Sequence, residues 1–205
     1  MAPTLEAERR LWALGYSFVA GVDEAGRGPW AGPVVAAAVV LPPDDPRLEE
    51  VLAGVDDSKR LSPRVREDWF ILIHEVALAV GVGQSTAQEI DDLGIARATR
   101  LAMKRAIESL PLRPDYILVD YERLPDVPIP QEAFVRGDAR VLSIAAASII
   151  AKVTRDRIMV DMDARYPGYG FAQHKGYGTA SHRDALRRLG PSPIHRKSWK
   201  PVREL

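Results

Sequence analysis

The sequence predicts an α/β protein built on a mixed sheet, and three observations carry that expectation. Two apolar runs, Phe18–Asp23 and Val34–Leu41, flank a turn rich in glycine and proline, which reads as strand, turn, strand. Shorter apolar runs at Val80–Ser85, Tyr116–Asp120 and Ala133–Arg136 then alternate with segments of helical spacing. With 205 residues, 46% of them apolar, the chain has enough material for one hydrophobic core and too little for two, so one domain is expected.

The elements follow in order. Gly26, Gly28 and Pro29 mark the first turn. Asp57-Ser58-Lys59 lies in a polar loop after Gly54, and Ser62 then reads as an N-cap with Pro63 at the first helical position. The helix it opens runs to about Ala79, with Trp69, Leu72, Ile73 and Val76 on one face. Between Ile95 and Leu110 the positions Ile95, Ala98, Ala102, Ala106 and Leu110 recur at helical spacing. Tyr116–Asp120 is a buried strand that stops at a carboxylate. From Val141 to about Arg165 the chain is helical, alanine-rich at first and then charged. Tyr166-Pro167-Gly168 ends that helix, a glycine-rich basic loop continues to Gly178, and a helix over Ala180–Leu189 precedes a proline-rich tail.

Composition removes several chemistries. The chain has no cysteine, so disulfides, thiolate metal sites and a cysteine nucleophile are excluded, and any metal must sit on oxygen or imidazole. The longest apolar run, Val141–Ala151, is too short to span a bilayer, and Glu6, Glu8, Arg9 and Arg10 interrupt any signal-like stretch. A cytoplasmic protein without a membrane partner is therefore expected. Net charge is zero, yet residues 151–205 carry +7 and the remainder −7. That asymmetry reads either as a surface for a polyanion or as an ordinary solvated face.

Four acids close apolar segments: Asp23 and Glu24 after FVAGV, Asp120 after YILV, and Asp138 after FVRG. A carboxylate at the end of a buried strand needs something to offset its desolvation, and a divalent cation is the usual compensation; each of the four taken singly reads equally as an ordinary turn acid at a strand end. Two such ions would clamp the attacking and leaving oxygens of a phosphodiester. Neighbouring residues of a regular strand face opposite ways, so Asp23 and Glu24 share a site only if the strand ends or bulges there; Gly26 and Gly28 are expected to supply that break. Gly26-Arg27-Gly28 reads as a simple turn or as a segment whose amides approach a ligand closely. The loop His174-Lys175-Gly176-Tyr177-Gly178 suits phosphate and sugar contact, although a loop tyrosine also serves packing. Ser58 with Lys59, and Lys152 with Thr154, read equally as phosphate contacts or as polar groups flanking helices. His74 is given no role.

Taken together, GVDEAGRGPWAGPVVAAAVVL, DDSKRLS, RGDARVLSIAAASIIAKVTRD and YGFAQHKGYGT resemble the bacterial type 2 ribonuclease H family (ribonuclease HII), in family order from Gly21 to Thr179. The resemblance implies a ribonuclease H-like mixed sheet flanked by helices, with a catalytic core over about 17–165 and a C-terminal basic loop and helical segment over about 166–205. It further implies endonucleolytic cleavage of the RNA strand of RNA/DNA hybrids, including 5′ of single ribonucleotides in duplex DNA. Asp23, Glu24, Asp120 and Asp138 would hold two divalent cations, Mn²⁺ or Mg²⁺. Gly26, Arg27 and Gly28 would read the 2′-OH, Tyr177 would stack on the sugar or base, and Ser58 and Lys59 would lie near phosphates. A monomer is expected, and a replication clamp is left open as a partner. Three positions depart from the family pattern: Tyr121 replaces a usual glycine, Asp56 a common asparagine and Gly94 a frequent asparagine. Two other functions compete, a different two-metal nuclease or strand-transfer enzyme of the same fold and a catalytically silent nucleic-acid-binding module.

Overall fold

The computed structural model describes residues 2–43 and 45–204. Five strands form one mixed sheet: β1 (Val19–Ala25), β2 (Val34–Val40), β3 (Ala79–Ser85), β4 (Tyr116–Asp120) and β5 (Gln131–Phe134). The order across the sheet is β3-β2-β1-β4-β5. The first three strands make an antiparallel meander, and β4 and β5 then add in parallel to β1. Parallel addition requires a crossover, which α4 (Ala87–Leu93) and α5 (Ile95–Glu108) supply between β3 and β4.

Helices cover both faces, which is why the central strands read as unbroken apolar runs. On one face Ala20, Val22, Ala36, Ala38, Ile117 and Val119 pack with Ala98, Ala102 and Ala106 of α5. On the other, Ala37 and Val39 meet Ala145, Ala146 and Ile149 of α6 (Leu142–Arg165), together with Ile73 of α3 (Pro63–Val76). Small residues let the helices sit close. A Cβ on Gly21 would lie 2.2 Å from the Ser143 carbonyl carbon, and one on Gly83 would lie 2.3 Å from the Ala102 oxygen.

The mixed α/β architecture is the one expected, with differences at particular elements. β5 lies two residues earlier than its apolar pattern indicates, because Arg136 takes a left-handed backbone (φ +56°) that ends the strand, while polar Gln131 begins it and spends its amide on Leu124. Helix α1 (Glu6–Ala13) lies where the sequence was read only for the absence of a signal. Its Glu8 is fully buried and accepts a 2.8 Å hydrogen bond from the Ser143 N–H, serving the first turn of α6, which has no side-chain cap of its own. Burial pushes the Glu8 carboxyl up from its ordinary value.

The C-terminal segment, beginning with α7 (Phe171–His174), folds back on α6 and on the loop between β1 and β2. Tyr169, Phe171, Ala185 and Leu186, the last two on α8 (Ala180–Leu189), enclose Ala31 and Met159. Among the described residues, no helix is long and apolar enough to cross a membrane.

Candidate active site

Parallel strands bring their C-terminal ends to one edge, where a ligand site is commonly built. The last paired rung between β1 and β4 is Val22 with Val119. The next residue on each strand, Asp23 and Asp120, therefore lies beside its neighbour on the face covered by α6. Glu24 starts from the opposite face. Its carboxylate reaches the same cluster because β4 stops at Asp120, and one ligand atom from each of the three acids lies within 4.8 Å of the others. No glycine bulge is involved: β1 stays in regular register with β2 through Ala25 opposite Val35. The expected break is thus the end of β4, not a distortion of β1.

Electrostatics make this cluster costly without a cation. Burial, followed by the charges of Glu24 and Asp120, pushes the Asp23 carboxyl well above its ordinary value. Burial also raises Glu24 against the opposing pull of Arg27, and raises Asp120 against the Gly137 N–H, which donates to Asp120 Oδ1 at 2.6 Å. The Glu24 N–H donates to Asp23 Oδ1 at 2.7 Å. Buried, mutually repelling, oxygen-only donors fit a hard divalent cation such as Mg²⁺ or Mn²⁺.

Asp138 stands slightly apart. It is buried in a 3₁₀ turn (Gly137–Ala139) just before α6, and its Oδ2 lies 3.4 Å from Lys59 Nζ. It falls outside the three-carboxylate set, yet its charge adds to the upward push on Asp23 and Asp120. For Lys59, burial is outweighed by Asp57, Asp138 and Asp23, which raise its ammonium above the ordinary value.

Beside the carboxylates, the segment 26–28 is held from behind. Arg196, fully buried, donates to the carbonyls of Gly26 (2.5 Å), Arg27 (2.8 Å) and Gly32 (3.0 Å). Arg155, equally buried, donates to Pro33 O at 2.9 Å and to Ala31 O and Lys175 O at 3.1 Å each. The carbonyls are thereby turned inward, and the N–H groups of Gly26, Arg27 and Gly28 have no protein acceptor among the described residues. Gly26 has φ +96°, and a Cβ there would meet Arg155 Nε at 2.1 Å. At Gly28 the nearest atom to such a Cβ would be Tyr177 Cε1, 3.8 Å away, so Tyr177 stands at the mouth of this segment.

The ribonuclease HII family model matches residues 20–202. The chain belongs to the ribonuclease HII family. It is 58% identical over 205 residues to the ribonuclease HII of Chloroflexus aggregans, covering 100% of this chain and 97% of that one. Among solved structures, ribonuclease H2 of Pyrococcus horikoshii OT3 superposes with a TM-score of 0.73 at 32% identity, over 91% of this chain and 95% of that one. The ribonuclease HII of Archaeoglobus fulgidus, solved in complex with PCNA, gives a TM-score of 0.73 at 28% identity over 89% and 95%. The fold is ribonuclease H-like, and the protein is an endoribonuclease of that class.

Within this family frame, two of the residues read from the sequence as phosphate contacts are placed otherwise. Ser58 is buried, and its hydroxyl pairs with that of Ser148 at 2.8 Å, so part of its bonding capacity anchors the loop to α6. Lys152 is half-buried and bonds Asp156 one turn along α6 at 2.6 Å, in a groove of about 650 Å³ shared with Arg66, Arg157 and Lys175. Thr154 is half-buried on the same helix. The basic C-terminal quarter is also less of a surface than its charge count implies, since Arg155 and Arg196 are spent inside. Sequence reasoning missed both. Arg155 at least interrupts the buried stripe of α6; nothing in the tail marks Arg196.

Two histidines near Tyr177, His182 and His195, were also missed. Ser192 N–H donates to His195 Nδ1 (2.9 Å), and His182 Nδ1 meets the Tyr177 carbonyl (2.9 Å). A carbonyl only accepts, so His182 carries its proton on Nδ1, and the 3.0 Å contact between the two Nε2 atoms is a bond donated by His195. This relay holds the Tyr177 backbone. Of the departures from family pattern, Asp56 Oδ1 accepts from the Asp57 N–H and from Arg60, as an asparagine oxygen would. Gly94 has φ +77° and ψ 153°, a backbone open essentially to glycine, so asparagine at this position would need a different link between α4 and α5.

Proposed function

We propose that the protein hydrolyses the RNA strand of RNA/DNA hybrids and cuts 5′ of single ribonucleotides embedded in duplex DNA, leaving 5′-phosphate and 3′-OH ends. The observation that carries this reading is the contiguity of two groups: three clustered carboxylates, Asp23 buried with Glu24 and Asp120 part-buried, and, beginning two residues beyond Glu24, a segment with its carbonyls tied down and its amides free.

Asp23, Glu24 and Asp120 would hold two divalent cations, with Asp138 completing the set. When bound, such ions lower the pKa of an attacking water and offset charge on the leaving oxygen. The rest of the site recognises substrate. The amides of Gly26, Arg27 and Gly28 suit a ribose 2′-OH, and Tyr177, 45% exposed beside Gly28, suits the sugar that bears it. A site with donors placed for one hydroxyl leaves them unpaired against DNA, which discriminates more strongly than a missing methylene. Lys59, with its side chain 76% exposed, stands next to Asp138 where a backbone phosphate would approach. The segment over about 166–205 acts with the core as one unit, because Arg196 and Tyr177 both shape the reading segment. Every residue in this account comes from one chain, so a monomer suffices, working in the cytoplasm; a clamp partner remains open.

A silent binding module is disfavoured because clustered buried carboxylates repel phosphate unless a cation intervenes. The test is end-mapping on three labelled duplexes: RNA/DNA, DNA with one ribonucleotide, and DNA alone. Cleavage of the first two with the single cut 5′ of the ribonucleotide supports the reading. Binding of all three without a cut in either Mg²⁺ or Mn²⁺ would put the binding module in its place.

A further inference from the structure

Tyr121 follows directly on Asp120 and, among the described residues, is one of three other than glycine with a left-handed backbone, at φ +69°. A bulky side chain is strained there, whereas glycine would not be. The strain has no local release. The Tyr121 N–H donates to Phe134 O at 2.8 Å, and Asp120 Oδ1 is bound by the Gly137 N–H, so the end of β4 is pinned on both sides. Burial does not compensate either, since 61% of the residue is exposed. The ring instead faces the site: the Arg27 guanidinium stands 5.9 Å from its centroid and reaches Glu24 Oε1 at 3.4 Å with Nη1. Two exposed tyrosines thus flank the reading segment, Tyr121 at Arg27 and Tyr177 at Gly28. Strained, exposed residues that persist at the rim of a site point to a ligand.

Resting on the function proposed above, we infer that Tyr121 is a substrate-contacting residue of this chain. Its ring packs against the sugar–phosphate backbone of the strand being cut, on the opposite side of Arg27 from Tyr177. Because a ring face accepts ribose and deoxyribose alike, Tyr121 contributes affinity and does not contribute discrimination between RNA and DNA.

Steady-state cleavage of the one-ribonucleotide duplex by wild type, Tyr121→Phe and Tyr121→Gly, with Tm of each, tests this. Tyr121→Phe should keep the wild-type KM. Tyr121→Gly should raise KM by about tenfold, as expected for loss of an aromatic contact to nucleic acid, with kcat unchanged. Relief of strain should raise its Tm by about 2–4 °C, so weaker binding cannot be blamed on misfolding. An unchanged KM in Tyr121→Gly, or a loss confined to kcat as for a mere prop of Arg27, overturns the inference while leaving the function standing. A wild-type protein that cuts nothing overturns the functional reading, and this inference with it.

Discussion

Replacing Arg196 by methionine keeps the volume and removes every donor. Three carbonyls, those of Gly26, Arg27 and Gly32, then sit in the interior without a partner. An acceptor left unsatisfied in this way costs about 1–3 kcal/mol. Against this stands the relief of desolvation: burial, followed by the nearby charge of Arg155, pushes the Arg196 guanidinium down to about 9, still protonated at neutral pH. No carboxylate bonds either arginine among the described residues, so carbonyl dipoles hold the two charges, helped by the rings of Trp199 beneath Arg196 (5.2 Å) and Tyr177 beneath Arg155 (6.0 Å). Three unsatisfied acceptors together outweigh the relief of desolvation by about 3 kcal/mol or more, a large share of the ~5–15 kcal/mol that holds a domain. Urea unfolding should therefore show a loss of about 3 kcal/mol or above. Because the carbonyls of segment 26–28 lose their tether, the preference for a ribonucleotide over a deoxyribonucleotide at the cut site should fall as well. Arg196→Lys, which keeps one donor group and the charge, should lie between. Stability within about 0.5 kcal/mol of wild type, the range of an ordinary surface substitution, together with unchanged preference, would mean that the Arg196 donors do not hold segment 26–28.

Three further outcomes follow from the same geometry. His195 is held down to about 4, first by burial and then by His182, while its unfolded value is about 6.5, so between these limits the unfolded chain binds more protons. Stability should then fall as pH drops from about 6.5 towards 4, by up to about 1.4 kcal/mol per pH unit, and His195→Gln should flatten that slope in acid unfolding curves. Tyr177→Phe should cut single-turnover cleavage modestly and Tyr177→Ala severely, since the ring at Gly28 matters more than its hydroxyl; equal rates for both variants and wild type would remove Tyr177 from the site. Gly21→Ala should lower Tm and activity together, because the added Cβ meets backbone atoms of Ser143 and Ile144 at 2.2 and 2.5 Å and must push α6 away from β1; thermal melts that match wild type would contradict it.

The carboxylate cluster was legible in the sequence because an acid that closes an apolar run marks the end of a strand, and β1 and β4 do end at one edge. The way Asp23 and Glu24 come together was not legible, since it depends on β4 stopping at Asp120, a fact about pairing and not about either residue. Arg155 and Arg196 read as surface charge because composition carries no burial, and only the loop carbonyls they serve explain why they lie inside. The Ser58 hydroxyl shows the mirror case: in a polar loop it looks wholly exposed, yet it is buried against Ser148. Helix α4 was missed despite a capping box between Thr86 and Glu89, because its single short stretch lacks a full apolar stripe. Tyr121 stood out as a departure from pattern, but its left-handed backbone appears only once Phe134 and Gly137 are seen to pin the strand end.

The central claim is that the acids at the ends of β1 and β4 form a cation-dependent cleavage centre. Its most direct test is the single-turnover rate on the one-ribonucleotide duplex with Mg²⁺, with Mn²⁺ and with chelator, for wild type and Asp120→Asn. Cleavage by wild type that chelator abolishes and added cation restores, with Asp120→Asn folded, able to bind the duplex and unable to cut it, is the predicted result. Undiminished cutting in chelator, or by Asp120→Asn, would contradict the account.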